Sequence, residues 1–273
     1  MRVDLDNPSE PLPFPAVAEP PPILPPPALA VRDLRKYYEA KAAVNGLTLT
    51  VPRGCFFGFL GPNGAGKTTT IKMLMGVSTP NSGEIEILGL PMPEKAVEIK
   101  RQIGLVPEDT LLFDHLTGHE YMEFAGRIYG LPAAMTRERT RELLALFEMD
   151  GHGRKMIGEY SKGMRKRVAM AAALLHRPQL FLMDEPFEGV DAVGARLMKD
   201  ILLDLVSKGA TIFLTSHVLE VVERLCERVA IISDGKLVVD DSMANLRSGS
   251  ESLEEIFVRV VGGGRASENL EWL

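Results

Sequence analysis

The chain has 273 residues, of which 45% are hydrophobic, a size and composition typical of one large globular domain or two modest ones. Its 31 basic and 37 acidic residues give a net charge of -6, which argues against a nucleic-acid partner because nucleic-acid-binding domains are usually basic. Two widely separated cysteines argue against a disulfide framework or a cysteine metal site, and the lack of a long apolar run or a signal-peptide pattern predicts a cytosolic protein.

Residues 1–27 are rich in proline, which lacks the backbone donor that helices and sheets require, and we expect a disordered tail there. The domain that follows, residues 28–250, begins with two segments of alternating apolar residues that predict strands. Tyr37 and Tyr38 lie between these strands. A tyrosine in this place either stacks on a purine base or packs on the edge of the sheet, and the local sequence favours the sheet edge.

A glycine-rich stretch with the sequence GPNGAGKTT matches the phosphate-loop pattern G-x-x-x-x-G-K-[ST]. It follows the apolar run 55–60, which predicts a strand, and precedes the segment 70–75, which predicts a helix. Backbone N–H groups of such a loop point inward at phosphate, Lys67 would reach the β- and γ-phosphates, and the Thr68 hydroxyl would bind Mg²⁺. The alternative is a turn without a ligand, which would have to place Lys67 and Thr68 in this order by accident. The predicted nucleotide-binding loop comprises Gly61, Pro62, Asn63, Gly64, Ala65, Gly66, Lys67, Thr68 and Thr69.

A change of hydrophobic period divides the rest of the chain. Residues of about 108–176 repeat apolar side chains every three or four positions, which predicts an inserted helical subdomain. Beyond it, continuous apolar runs at 180–184 and 211–215 predict buried strands of a parallel sheet. The fold class is therefore expected to be α/β, with a P-loop NTPase core around a mainly parallel sheet, an N-terminal antiparallel β subdomain and the helical insertion. In residues 251–273 we expect a short amphipathic helix and a frayed end.

Acidic and imidazole side chains follow two of these predicted strands. Asp184 ends its strand at the sheet edge, where its carboxylate could reach Mg²⁺ bound by Thr68. Glu185 comes next and points to the other side, so it is the candidate general base for an attacking water. His217, after the following strand, could place Nε2 against the γ-phosphate, although a lone histidine there is more often a cap or a surface residue. Without the phosphate loop, Asp184 and Glu185 would fit an acidic turn equally well.

The order of the segments GPNGAGKTT, YSKGMRKR, LFLMDEP, EGVD and TSH resembles the ATP-binding subunit of ABC transporters over roughly residues 29–240. The second segment looks like that family's signature motif, usually written LSGGQ, and Ser161 in it is a good helix N-cap. The resemblance implies that Ser161 and Gly163 contact the γ-phosphate of ATP bound on a second subunit, which makes dimer closure depend on ATP. It also assigns Tyr38 to adenine stacking, Asp184 to magnesium, Glu185 to the base, Lys67 to the phosphates, residues 189–191 to subunit contact and His217 to the switch position.

The chain departs from the family pattern in two places. Glu108 stands where the family usually has a glutamine, and we expect this carboxylate to ligate Mg²⁺ beside Thr68 and Asp184. The signature motif is unusually basic, since it and the helix after it carry Lys162, Arg165, Lys166 and Arg167. Such a stretch could add positive field for ATP or membrane headgroups, but a solvated helix face is the preferred interpretation.

Three classes of function fit a chain with one phosphate loop. The resemblance implies an ATP-binding and ATP-hydrolysing subunit that forms a homo- or heterodimer around ATP and drives a separate integral membrane permease from the inner face of the plasma membrane. The segment 116–120 and Glu108 look like the branch that serves type-two exporters of drugs, lipids or polysaccharides.

One alternative is a soluble ABC ATPase acting on nucleic acid or ribosomes. Lys67 and Ser161 are too close in sequence to enclose the long coiled coil of the DNA-acting relatives, and the translation relatives carry two cassettes. A P-loop kinase or GTPase is the third class, and it would need neither the Ser161 motif nor the helical insertion.

Overall fold

The structure is a computed structural model that describes residues 25–249 and 251–262. The predicted frayed end, from residue 263 on, and residues 1–24 of the predicted tail lie outside the described residues. The last part of the predicted tail is in contact with the domain, because the Arg53 Nε donates a hydrogen bond of 2.8 Å to the carbonyl of Pro26.

The described residues form two sheets and nine α-helices. The strands are β1 Leu29–Tyr38, β2 Lys41–Val51, β3 Phe56–Leu60, β4 Ser82–Ile87, β5 Leu90–Met92, β6 Ile103–Val106, β7 Leu180–Asp184, β8 Thr211–Ser216, β9 Arg228–Ser233 and β10 Lys236–Ser242. The helices are α1 Lys67–Leu74, α2 Ala96–Lys100, α3 Gly118–Ile128, α4 Ala133–Leu146, α5 Lys162–Leu174, α6 Ala192–Ser207, α7 Leu219–Leu225, α8 Met243–Ser248 and α9 Leu253–Val261. Within the described ranges, no helix combines the length and the apolar character that crossing a bilayer requires.

The larger sheet has the strand order β10-β9-β3-β8-β7-β6 and is parallel except for β10. The exception follows from a two-residue hairpin, in which Asp234 and Gly235 have φ values of 48° and 75°, the positive angles that a type I′ turn requires. The smaller sheet has the order β2-β1-β4-β5 and is antiparallel throughout. The architecture therefore has the mainly parallel core and the antiparallel β subdomain that the sequence predicts.

The central strand β3 is buried along its whole length, because both faces of the large sheet are covered. Phe56 and Leu60 pack in the apolar cluster that includes helices of the insertion, whereas Phe57 and Phe59 pack in the cluster beneath the antiparallel sheet. Phe57 stacks on Phe213 of β8 with ring centroids 5.8 Å apart. A strand so enclosed gives the loop that leaves it a rigid base.

The inserted helices α3, α4 and α5 stand between β6 and β7, as the change of period predicts. Helix α3 begins with a capping box, since the Thr117 side chain accepts from the Glu120 N–H and the Glu120 carboxylate accepts from the Thr117 N–H. Helix α5 is almost wholly buried after its first turn, so it connects the insertion to the sheet. The short elements β5, α2 and α8 are absent from the sequence prediction, because segments of three to six residues show too few periods to recognise.

Candidate functional site

The phosphate loop joins β3 to α1 and wraps closely against two other segments. Gly66, the residue before α1, has a φ of 110°, and a Cβ there would lie 2.4 Å from the carbonyl oxygen of Ala43. A Cβ on Gly61 would lie 2.5 Å from the carbonyl oxygen of Ile232. Side chains are therefore excluded at both ends of the loop, and the first N–H groups of α1, which have no partner within the helix, begin directly after it.

Lys67 places a positive charge inside this loop. Its side chain is 7% exposed, and its Nζ donates hydrogen bonds to the carbonyl oxygens of Gly61 at 2.7 Å and Pro62 at 3.3 Å. The ammonium therefore lies beside the loop backbone at the N-terminus of α1, and a cation and a helix N-terminus together stabilise a bound anion such as phosphate.

The loop forms one wall of a cleft of about 610 Å³. The cleft is lined by Tyr38, Lys41, Ala43, Pro62, Asn63, Gly64, Gly66, Lys67, Thr68, Thr69, Glu108, Asp184, Glu185, Glu188 and His217. The structure thus brings together most of the predicted site residues. Tyr38 lines the cleft and Tyr37 does not, and Tyr38 is 49% exposed. Gly61 and Ala65 belong to the loop behind the lining, and Ser161 and Gly163 lie elsewhere.

The opposite wall is the carboxyl edge of β7 and β8. Asp184 pairs in register with Thr215, whose hydroxyl donates a hydrogen bond to Asp184 Oδ1. The Glu185 N–H lies 3.2 Å from both the hydroxyl and the carbonyl oxygen of Thr215. Thr215 therefore orients both acidic residues. The sequence did not predict this role, because a threonine within an apolar strand is common and gives no sign of which residues its hydroxyl contacts.

Glu185 and His217 form a pair at this edge. His217 Nδ1 lies 3.0 Å from Glu185 Oε1, with the Glu185 side chain 9% exposed and the His217 ring 53% exposed. Glu185 has a φ of 46°, in the left-handed region that non-glycine residues rarely occupy. The backbone turn at Glu185 lets its carboxylate face the cleft beside Asp184.

The rim of the cleft is acidic. Burial raises the pKa of Glu108, and the carboxylates of Asp184 and Glu188 raise it further. Glu188 is bound at 2.8 Å by Lys162, and this hydrogen bond lowers the pKa of the Glu188 carboxyl. Glu188 is a cleft residue that the sequence reasoning did not single out.

The predicted magnesium ligands offer the oxygen donors that Mg²⁺ prefers. Thr68, Asp184 and Glu108 all line the cleft, and together they supply one hydroxyl and two carboxylates. Among the described residues, no group of three or more His, Cys, Asp or Glu is arranged to hold a metal by itself. The donor set therefore fits a Mg²⁺ ion that takes its remaining ligands from phosphate and water.

Most of the basic stretch of α5 is not a solvated helix face, which corrects the preferred interpretation of the sequence except at Lys162, whose side chain is 55% exposed. Lys166 is completely buried, and the Arg167 side chain is 13% exposed where it contacts Asp191 at 3.1 Å. Arg165 Nη1 binds Asp114 at 2.7 Å, and Lys162 binds Glu188. Each charge has a partner from another element, because α5 packs under the loops that follow β6 and β7.

The signature segment lies outside the cleft of its own chain. Ser161 is exposed and caps α5, since its Oγ accepts from the Met164 N–H at 3.2 Å. Gly163 packs beside the loop 189–191, where a Cβ on it would lie 3.4 Å from the Gly189 carbonyl oxygen. A single chain therefore does not bring Ser161 to its own phosphate loop.

Comparison with known proteins gives consistent matches. A family model described as ABC transporter matches residues 44–188. An uncharacterized ABC transporter ATP-binding protein of Nostoc sp. is 40% identical over 230 residues, which cover 81% of this chain and 68% of that protein. The Nod factor export ATP-binding protein I of Cupriavidus pinatubonensis is 38% identical over 225 residues, covering 81% of this chain and 69% of that protein. A solved structure described as the ATP binding subunit of an ABC transporter has a TM-score of 0.80 and 32% identity, and the match covers 85% of this chain and 99% of that one.

Proposed function

This chain belongs to the family of ABC transporter ATP-binding proteins, and from that premise we propose that two such subunits close around ATP and drive a separate integral membrane permease that exports its substrate. Family membership makes the chain an ATPase and confirms both the resemblance and the fold class predicted from the motifs. The ABC transporter match disfavours the alternatives, a nucleic-acid or ribosome ATPase and a kinase or GTPase.

One observation carries the proposed chemistry: a single cleft contains the phosphate loop on one wall and the Glu185–His217 pair on the other. Loop amides and Lys67 would bind the phosphates, and Tyr38 would stack on the adenine. Glu185 would accept a proton as water attacks the γ-phosphorus, so that the new bond to water oxygen forms while the bond to ADP breaks. Bound Mg²⁺, with Thr68, Asp184 and Glu108 as its protein ligands, would neutralise charge on the β- and γ-phosphate oxygens.

The exposed N-terminus of α5 supports the dimer. This helix has 13 residues, its cap Ser161 is exposed, and the subunit-contact loop 189–191 lies against Gly163. The signature segment and the contact loop thus form one surface, which the nucleotide bound to a second subunit can contact. Because helix N-termini favour anions, closure of the dimer would depend on the triphosphate.

Exposed apolar side chains on the insertion support the permease partner. Leu111 is 92% exposed, Phe113 54% and Ile128 68%, and Leu111 lines a cavity of about 230 Å³ together with Tyr121. Such a concentration of apolar surface favours contact with another protein. The segment 107–108 connects this surface to the cleft. We assign the surface to the permease at the inner face of the plasma membrane, and the Nod factor export relative favours export.

The test uses purified full-length protein, assayed for Mg²⁺-dependent ATP hydrolysis and for dimerisation by gel filtration with ATP. The Glu185→Gln variant should bind ATP, lose hydrolysis by about a hundredfold or more, and elute as a dimer. Glu142→Gln, which changes an exposed glutamate on α4, should behave as the unmodified protein. A monomeric Glu185→Gln variant that still hydrolyses ATP would contradict the assigned roles.

A further inference from the structure

Lys166 is the one lysine of helix α5 whose side chain is fully enclosed. It lies five positions after Ser161 and is 0% exposed, although lysine is almost never fully buried unless it is paired. Its Nζ donates hydrogen bonds to the carbonyl oxygens of Glu108 at 2.7 Å, Pro107 at 2.9 Å and Glu185 at 3.3 Å. The ammonium has three donors, and these three oxygens use all of them.

The three carbonyls belong to two different segments. Pro107 and Glu108 follow β6, whereas Glu185 follows β7, and these two strands are parallel neighbours in the large sheet. One segment therefore carries the carboxylate proposed for the metal, and the other carries the proposed base. Lys166 joins both to the helix that begins at Ser161.

The stability of the fold does not by itself explain why position 166 is a lysine. A buried charge is costly to desolvate, and an apolar side chain of similar volume is often as good or better for stability. Among the described residues Lys166 makes no ion pair, and burial lowers the pKa of its ammonium, an effect that the carboxylates of Glu188, Asp184 and Glu108 oppose only in part. What the lysine provides that an apolar residue cannot is a fixed position for three backbone oxygens.

We propose that Lys166 is a positioning residue for ATP hydrolysis, which fixes the backbone of Glu185 and of residues 107–108 on helix α5. Docking of Ser161 on the second subunit's nucleotide is then transmitted through α5 to the base that activates water in its own cleft. The inference rests on the proposed function, because it takes Glu185 as the base and Ser161 as the contact across the dimer. Lys166 itself is fully buried and does not line the cleft.

The test compares Lys166→Met, which keeps the length of the side chain and removes its donors, with Lys208→Met, which removes an exposed lysine far from the cleft. Lys166→Met should lower kcat by about ten- to a hundredfold, the range seen when a group that orients a catalytic residue is removed. Its Kd for ATP should change by less than about twofold, and the variant should accumulate as an ATP-bound dimer because closure precedes the impaired step. Lys208→Met should retain normal kcat.

Each other outcome overturns the inference. Normal kcat in a folded Lys166→Met variant would show that the hydrogen bonds do not position the base, and loss of ATP binding together with hydrolysis would show a general role in the cleft. Should Lys166→Met fail to fold, Lys166→Leu, which also lacks donors, takes its place with the same expected loss of kcat, and failure of both to fold would make the residue purely structural. If Glu185→Gln also hydrolyses ATP, the proposed function fails. If Lys166→Met hydrolyses ATP at the normal rate while Glu185→Gln is inactive, only the proposed role of Lys166 is refuted and the proposed function stands.

Discussion

His217 Nδ1 lies 3.0 Å from Glu185 Oε1, so the imidazole contacts the proposed base directly. A ring that donates from Nδ1 has a second nitrogen, Nε2, directed away from Glu185, and that nitrogen can donate to a phosphate oxygen only when the imidazole carries both protons. The contact with Glu185, which the sequence did not predict, therefore leaves Nε2 for the predicted contact with the γ-phosphate.

Replacement of His217 should impair hydrolysis more than binding. His217→Ala removes the partner that orients Glu185, and we expect kcat to fall by about ten- to a hundredfold while the Kd for ATP stays within about twofold. Steady-state hydrolysis and equilibrium ATP binding measure the two effects. His115→Ala removes an exposed histidine outside the cleft and serves as the control. Equal loss of binding and turnover would mean that His217 acts mainly in holding ATP.

Loss of the phosphate-loop lysine should weaken ATP binding strongly. Lys67→Ala removes the ammonium inside the loop, and hydrogen bonds to charged groups contribute about 1.5–3 kcal/mol each, so Kd should rise at least about tenfold. Lys72→Ala on the same helix removes an exposed lysine and should leave Kd unchanged. Titration with a fluorescent ATP analogue distinguishes the two variants, and an unaltered Kd for Lys67→Ala would refute the loop assignment.

The Ser161 cap should have two separable roles. Ser161→Ala removes the side chain that accepts from the Met164 N–H, which should cost about 1 kcal/mol of stability, and it should also weaken ATP-dependent dimerisation. Ser252→Ala removes the equivalent cap of α9 and should lose similar stability without affecting the dimer. Thermal unfolding and gel filtration with ATP measure the two effects. A Ser161→Ala variant that dimerises normally would contradict the contact across the dimer.

Neutralising Glu108 should stabilise the fold near neutral pH. Burial and neighbouring carboxylates raise the pKa of Glu108, so the folded chain retains its proton to higher pH than the unfolded chain does. This group therefore lowers stability as pH rises through its folded pKa, and the effect is absent below the pKa of the unfolded chain. Glu108→Gln should melt at a higher temperature than the unmodified protein at about pH 7, and the difference should shrink toward about pH 4.

Melting curves of Glu108→Gln at both pH values provide the measurement. Glu39→Gln, which changes an exposed glutamate on the turn between β1 and β2, is the matched control for the loss of one acidic side chain. A melting-temperature gap for Glu108→Gln that is the same at both pH values would show that the Glu108 charge is not destabilising.

Much of the cleft could be predicted because many of its functional residues are adjacent in the sequence. The phosphate loop is a local pattern, and Asp184 and Glu185 follow a buried parallel strand whose end must lie at the sheet edge. The pairing of β7 with β8 then brings His217 near them, since both strands end at that edge. These predictions need only strand order and direction, which short motifs and hydrophobic runs already indicate.

Residues whose role depends on packing between distant segments could not be predicted. In the sequence Lys166 is one of several charged residues of a basic helix. Its neighbours in sequence do not indicate that the loops after β6 and β7 cover it. Thr215 likewise reads as an ordinary strand residue until the register places its hydroxyl on Asp184. For Tyr37 and Tyr38 the local sequence favoured a sheet edge, whereas the family resemblance assigned the stacking role to Tyr38, and the folded β1 places Tyr38 in the cleft lining.

The left-handed backbone at Glu185 has a consequence for how this subunit can evolve. With a φ of 46°, a glutamate occupies a conformation that glycine adopts freely and that costs most other residues roughly 1 kcal/mol or more. A glycine at this position would therefore remove the conformational cost of the positive φ, but it would also remove the carboxylate. Glu185 thus costs the fold stability that a glycine would restore, and its proposed part in hydrolysis gives a reason for an acid at this position.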